Sequence, residues 1–162
     1  MLFRSETVRP SDLNPLGAMG QITQDVTASG VKEIWPAVIE QAYAQLNGGV
    51  AAIAGGGDPV AAIETLTGKA GNTAAMPFNY AELVRLINVN CTMTFNTLPF
   101  GTLTNGLIND HSYAYEGANV AGKNGSLTTI NLGNPWGNTQ PTPVPIAMIT
   151  QEFGSVALGH VT

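Results

Sequence analysis

Two residues with the chemistry of a base and its orienter stand out in this chain. They are His111, in Asn109-Asp110-His111-Ser112-Tyr113-Ala114-Tyr115, and Asn134, in Asn134-Pro135-Trp136-Gly137. An imidazole is the side chain that moves protons near neutral pH. An amide oxygen on one ring nitrogen fixes which of the two carries the proton, and a Trp two residues beyond the Asn can cover that bond. Such a trio is half of a thiolate-dependent acyl-transfer site, and the nucleophile belongs to the other half.

Each member alone has an ordinary reading. A His beside Tyr113 and Tyr115 is often a structural residue, an Asn-Pro pair is a common turn, and Trp136 could plug a core. Pro135 narrows the choice, because it forces Asn134 into an extended backbone and so limits where its side chain can point. A His-led strand followed by a strand that ends in Asn-Pro-Trp-Gly is more specific than any of its parts.

The thiol is harder to place. Cys91 is the only cysteine, which excludes an internal disulfide framework. In the run 89–95, Val89, Cys91, Met93 and Phe95 share one face of a strand, so Cys91 reads as a core residue with a raised pKa and an inert sulfur. The order Cys91, His111, Asn134 nevertheless leaves a compact, rearranged acyl-transfer enzyme as one alternative. His160, between Gly159 and Val161, reads as a solvated tail residue. Two histidines and one cysteine make no zinc spacing, and no metal or cofactor is expected.

The elements that must position these residues follow from periodicity. Val31, Ile34, Trp35, Val38, Ile39, Ala42, Tyr43 and Leu46 recur at helical spacing. Pro36 suits a first turn, so the helix should start near Trp35 and stop at Asn47-Gly48-Gly49. Asp58-Pro59 starts a short helix over 60–66, ended by Thr67-Gly68. Asn79 with Glu82 signals a third helix through Leu83, Leu86 and Ile87. Gly55-Gly56-Gly57 lacks the Lys-Ser/Thr of a phosphate loop. From residue 89 the period becomes two, with further strands expected over 107–115, 127–132 and 153–161 and a turn-rich stretch over 116–126. Helices first and strands afterwards indicate α+β.

With 162 residues the chain can build one domain with a real core. Only 10% of residues are charged, against roughly 25% in an average soluble protein. The six basic residues are scattered and the net charge is −5, with a pI near 4.7, so no nucleic-acid partner is expected. No apolar run approaches the roughly 18 residues of a membrane span, and nothing at the N-terminus resembles a signal peptide, so the compartment stays open.

The combination resembles the calpain-type, papain-like cysteine proteases over about residues 31–158. The segment from Trp35 through Glu40, Ala42, Tyr43, Ala44 and Leu46 to Gly48 is similar to that family's Trp, Glu-Lys-Ala-Tyr-Ala-Lys-Leu and Gly segment. Ile53, Gly55-Gly56, Ala62 and Leu66-Thr67-Gly68 continue it in order. His111-Ser112-Tyr113-Ala114 resembles its His-Ala-Tyr segment, and Asn134-Pro135-Trp136-Gly137 is identical to its Asn-Pro-Trp-Gly signature.

The resemblance implies the C-terminal part of a papain-like fold, with N-terminal helices followed by an antiparallel sheet. Residues 1–30 would be a linker or lead-in, and 31–162 a partial catalytic domain. His111 is then the general base, Asn134 its orienter and Trp136 the shield over their bond. The family's nucleophilic Cys and oxyanion-hole Gln lie well before the Trp35 segment, where this chain has no cysteine. The implied function is a cysteine endopeptidase region that acts on peptide bonds only with a separate N-terminal segment and is inactive alone, and the chain is expected to associate with that segment or with itself. A non-catalytic, peptide-binding half is the alternative. After Gly137, Asn138-Thr139-Gln140-Pro141-Thr142-Pro143 replaces the acidic residues with which calpains bind calcium, and Glu152 alone is poor provision for a hard cation.

Overall fold

Apolar residues at helical spacing do form helices here, and glycine ends them. In the computed structural model, which describes residues 25–26, 32–33, 35–76, 80–88, 91–121, 125–135 and 139–160, two compact units are present. One comprises Met1–Gly57 and Trp136–Asn138, and the other Asp58–Pro135 and Thr139–Thr162.

In the first unit, strands β1 (Asp25–Val26) and β2 (Lys32–Glu33) pair antiparallel, and helix α1 (Trp35–Leu46) follows. Pro36 stands in the first turn of α1, where its missing N–H costs nothing. Gly48 and Gly49 carry φ of 96° and 111°, a backbone open to glycine but strained for other residues. The Gly49 N–H caps the helix by donating to the Ala44 carbonyl at 2.7 Å. A one-turn helix, α2 (Val50–Ile53), comes next.

The second unit begins with α3 (Pro59–Thr67). Asp58 is its N-cap, with Oδ1 accepting from the Val60 N–H at 2.9 Å, and Gly68 closes it in the left-handed conformation. Helix α4 (Tyr80–Asn88) buries Leu83 and Leu86 and pairs Arg85 with Glu82 on its exposed side. Asn79, the expected cap, lies outside the described residues, as do residues 89 and 90 of the expected strand.

A six-stranded antiparallel sheet has the order β3-β8-β4-β5-β6-β7. The strands are β3 (Gly71–Ala75), β4 (Cys91–Thr97), β5 (Ser112–Ala121), β6 (Ser126–Gly133), β7 (Val144–Pro145) and β8 (Phe153–His160). The alternation expected from the sequence holds in β4, where Met93, Phe95 and Thr97 are buried. Phe95 stacks edge-on against Phe153, 5.5 Å between centroids, at the middle of a core that includes Tyr113, Ile130, Val144 and Val156.

The architecture is α+β, with three corrections to the sequence reading. Residues 107–111 are loop and not strand, and β5 instead runs from Ser112 to Ala121 through the stretch read as turns. Gly117 and Asn119 misled that reading. A register shift between Tyr115 and Gly117 leaves Glu116 as the bulged residue, and Gly117, at φ 138°, pairs with Asn131 in the continuing strand. Helices and strands are also not segregated. Strand β3 precedes α4, and α5 (Ile146–Glu152) separates β7 from β8. Lastly, His160 is no free tail at the level of its backbone, since it ends β8 opposite Cys91. Among the described residues no helix is long and apolar enough to cross a membrane.

Candidate active site

Antiparallel pairing explains why two residues 23 positions apart meet. His111 immediately precedes β5 and Asn134 immediately follows β6, and Ala114 pairs with Gly133, so the start of one strand adjoins the end of the other. The two side chains touch, with His111 Nε2 lying 3.0 Å from Asn134 Oδ1.

The direction of that bond follows from the rest of the Asn. Its Nδ2 donates to the Thr139 carbonyl at 2.8 Å, which fixes the amide nitrogen on that side and turns Oδ1 toward the ring. Oδ1 can only accept, so Nε2 carries the proton and Nδ1 of the neutral ring keeps its lone pair. Nδ1 is therefore the atom able to take a proton from a neighbouring acid. Asn134 is only 4% exposed, so water competes weakly for the contact.

The ring itself is half-buried. Tyr113 meets it edge-on, 4.8 Å between centroids at 88°. Burial pushes the Tyr113 phenol above its ordinary range, and the Ile108 N–H, donating to the phenol oxygen at 2.9 Å, offsets this in part. Tyr113 thus stays a neutral wall.

The loop that delivers His111 is pinned by buried polar groups. A register shift between Asn96 and Thr97 turns the Thr97 hydroxyl into it. Thr97 Oγ1 accepts from the His111 N–H at 3.0 Å and donates to the Ile108 carbonyl at 2.7 Å, while the Thr97 N–H donates to the His111 carbonyl at 2.9 Å. Asp110, with φ 52°, makes the left-handed turn just before His111, and its N–H donates to the Leu98 carbonyl. Glu152 Oε1 accepts from both the N–H and the hydroxyl of Thr104, at 2.7 and 2.6 Å. Its Oε2 is buried without a hydrogen-bond partner. Asn105 laces the same loop to the segment after Asn134, accepting from the Thr142 N–H and donating to the Thr142 hydroxyl and the Pro143 carbonyl.

Of the residues singled out in the sequence, His111 and Asn134 come together, and Trp136 lies outside the described residues. Cys91 does not join them. It stands at the far end of β4 from Thr97, and a seven-residue strand spans about 20 Å at ~3.3 Å per residue. Its Sγ lies 3.7 Å from the Leu86 carbonyl as a donor, and burial pushes the thiol up, against the pull of Arg85. Cys91 is not the thiol that His111 could deprotonate. The anchors Thr97, Thr139, Gln140 and Glu152 were not found from sequence. Only their non-local partners reveal them, and no spacing signals those.

The described residues do not fit calcium. Positions 138–143 carry no carboxylate in the sequence, Glu152 Oε1 is taken by Thr104, and among the described residues no three His, Cys, Asp or Glu side chains gather around one point.

A model of the calpain family cysteine proteases matches residues 8–142. The chain belongs to that family. Calpain clp-1 of Caenorhabditis elegans is 30% identical over 135 residues, covering 76% of this chain and 17% of its own length. Calpain-13 of Rattus norvegicus is 31% identical over 121 residues, or 68% and 18% of the respective chains. A calpain of Schistosoma mansoni is 29% identical over 117 residues, or 66% and 15%. The chain thus matches less than a fifth of the length of each of these relatives.

Proposed function

We propose that this calpain-family chain supplies the base and its orienter for peptide-bond hydrolysis, and that the nucleophilic Cys comes from a separate N-terminal segment. The observation that carries the reading is the bond from His111 Nε2–H to Asn134 Oδ1, which leaves Nδ1 as the proton acceptor.

In this reading Nδ1 takes the thiol proton, and the thiolate attacks the scissile carbonyl. The imidazolium then returns that proton to the leaving amine, which departs as the acyl-thioester forms. Nδ1 next removes a proton from water, which displaces the thiol. Asn134 keeps the ring in the productive tautomer throughout, and Trp136 covers the bond between them. Residues 1–30 act as a lead-in to the partial catalytic domain. By itself the chain has no covalent route to hydrolysis, since its single thiol stands about 20 Å from the base along β4. It associates with the segment that completes it, or with itself.

Complementation tests this. An N-terminal calpain segment carrying its Cys and Gln, mixed with this chain, is expected to hydrolyse a peptide substrate that neither part cleaves alone. His111→Ala should remove that activity, by at least the roughly 10²–10⁴-fold that a positioned acid–base contributes. Hydrolysis that survives this substitution overturns the assignment of the base.

A further inference from the structure

The orienter is itself held. Asn134 Oδ1 can steer the imidazole only if its own backbone is fixed, yet it sits after the last residue of β6, where ladder bonds have ended. Gln140 takes over from the ladder. Its Oε1 accepts from the Asn134 N–H at 2.7 Å, and its Nε2 donates to the Asn134 carbonyl at 3.1 Å. The carboxamide therefore pairs with both backbone groups of Asn134 as a neighbouring strand would. The adjoining Thr139 carbonyl receives Asn134 Nδ2 at 2.8 Å, so backbone and side chain are held from one short segment.

We infer that Gln140 is a positioning residue for the His111–Asn134 pair. It acts through Asn134 alone, fixing the plane from which Oδ1 accepts the His111 Nε2–H. The inference rests on the reading of His111 and Asn134 as base and orienter. Its chemistry is specific to a primary amide. A carboxylate at position 140 could accept from the Asn134 N–H but would set an oxygen against the Asn134 carbonyl, and an alanine offers neither contact. Gln140 has an exposed residue surface, so its removal should leave the core intact.

The test reads the ring proton directly, on the full chain with 15N-labelled histidine, by NMR at a pH where the imidazole is neutral. The chain has only two histidines, and a His111→Gln variant identifies the His111 signals. The unsubstituted protein should show a protected Nε2–H on His111. Gln140→Ala should speed its exchange with water about tenfold, the equivalent of losing one to two net hydrogen bonds. Gln140→Glu, which keeps one contact and opposes the other, should also speed it. Amide exchange at core residues Phe95 and Val156 should not change, which separates positioning from general destabilisation. Three results each overturn the inference: no protected Nε2–H in the unsubstituted chain, an unchanged rate in both variants, or acceleration only in step with the core amides. None of these readouts needs peptidase activity. A silent complementation assay alongside a responsive ring proton would therefore refute the protease reading and leave the clamp standing.

Discussion

At the scale of single residues, protonation separates the two groups that could do chemistry. His111 is oriented by a buried amide, whereas Cys91 is held as a neutral thiol by burial, only partly countered by Arg85. Its folded pKa exceeds its unfolded one. The stability this group lends is therefore complete below the unfolded thiol's titration, near about 8.5, and is lost as pH rises through the higher folded value. Alkylation of Cys91 by iodoacetamide at pH 7.5 should accordingly be several-fold slower in the native protein than in urea, and the native rate should climb only at alkaline pH. A native rate at neutrality equal to the denatured one would revive Cys91 as a nucleophile. The His–Asn pair was legible in the sequence because Asn134-Pro135-Trp136-Gly137 is a local signature. Gln140 and Glu152 were not, because a Gln in a Pro-rich stretch and a Glu at a helix end declare nothing until their partners arrive from elsewhere in the chain.

Elements differ in how much a local window can reveal of them. The helices α1 and α3 were readable almost to the residue, since Pro36, Asp58, Gly48 and Gly68 act on their immediate neighbours. Strand β5 was placed too early because its extent is set by pairing with β6, and its bulge at Glu116 hides glycine inside a ladder. Helix α5 escaped notice because Pro145 and a short apolar run look alike in a strand and a first turn. The contact of α3 with β8 supplies a test at this scale. A Cβ on Gly159 would collide with the Ile63 side chain, which is buried between helix and sheet. A Cβ on Gly133 would meet only the flexible end of Glu116, which can swing into solvent. Gly159→Ala should therefore lower stability by about 1–3 kcal/mol, the usual range for overpacking, while Gly133→Ala costs clearly less. Urea denaturation of both variants checks the ranking, and equal midpoints would contradict it.

Across the whole molecule, the strand order carries the main constraint. Strand β8 is last in sequence but sits between β3 and β4, while β4, β5 and β6 follow one another as a meander. Amide exchange should show β8 among the most protected segments, with Val156 and Ala157 opening only on global unfolding of that unit. Exchange of those amides well before Phe95 in β4 would mean that the sheet comes apart in pieces. The same placement bears on biosynthesis. As the polypeptide leaves the ribosome, the meander can zip up by neighbour-to-neighbour pairing, but β3 must wait, edge open, for a strand made some eighty residues later. Until then β3 and the β8-facing edge of β4 keep unpaired backbone N–H and C=O groups, and nascent chains stalled before Phe153 should depend on chaperones far more than chains that extend past His160.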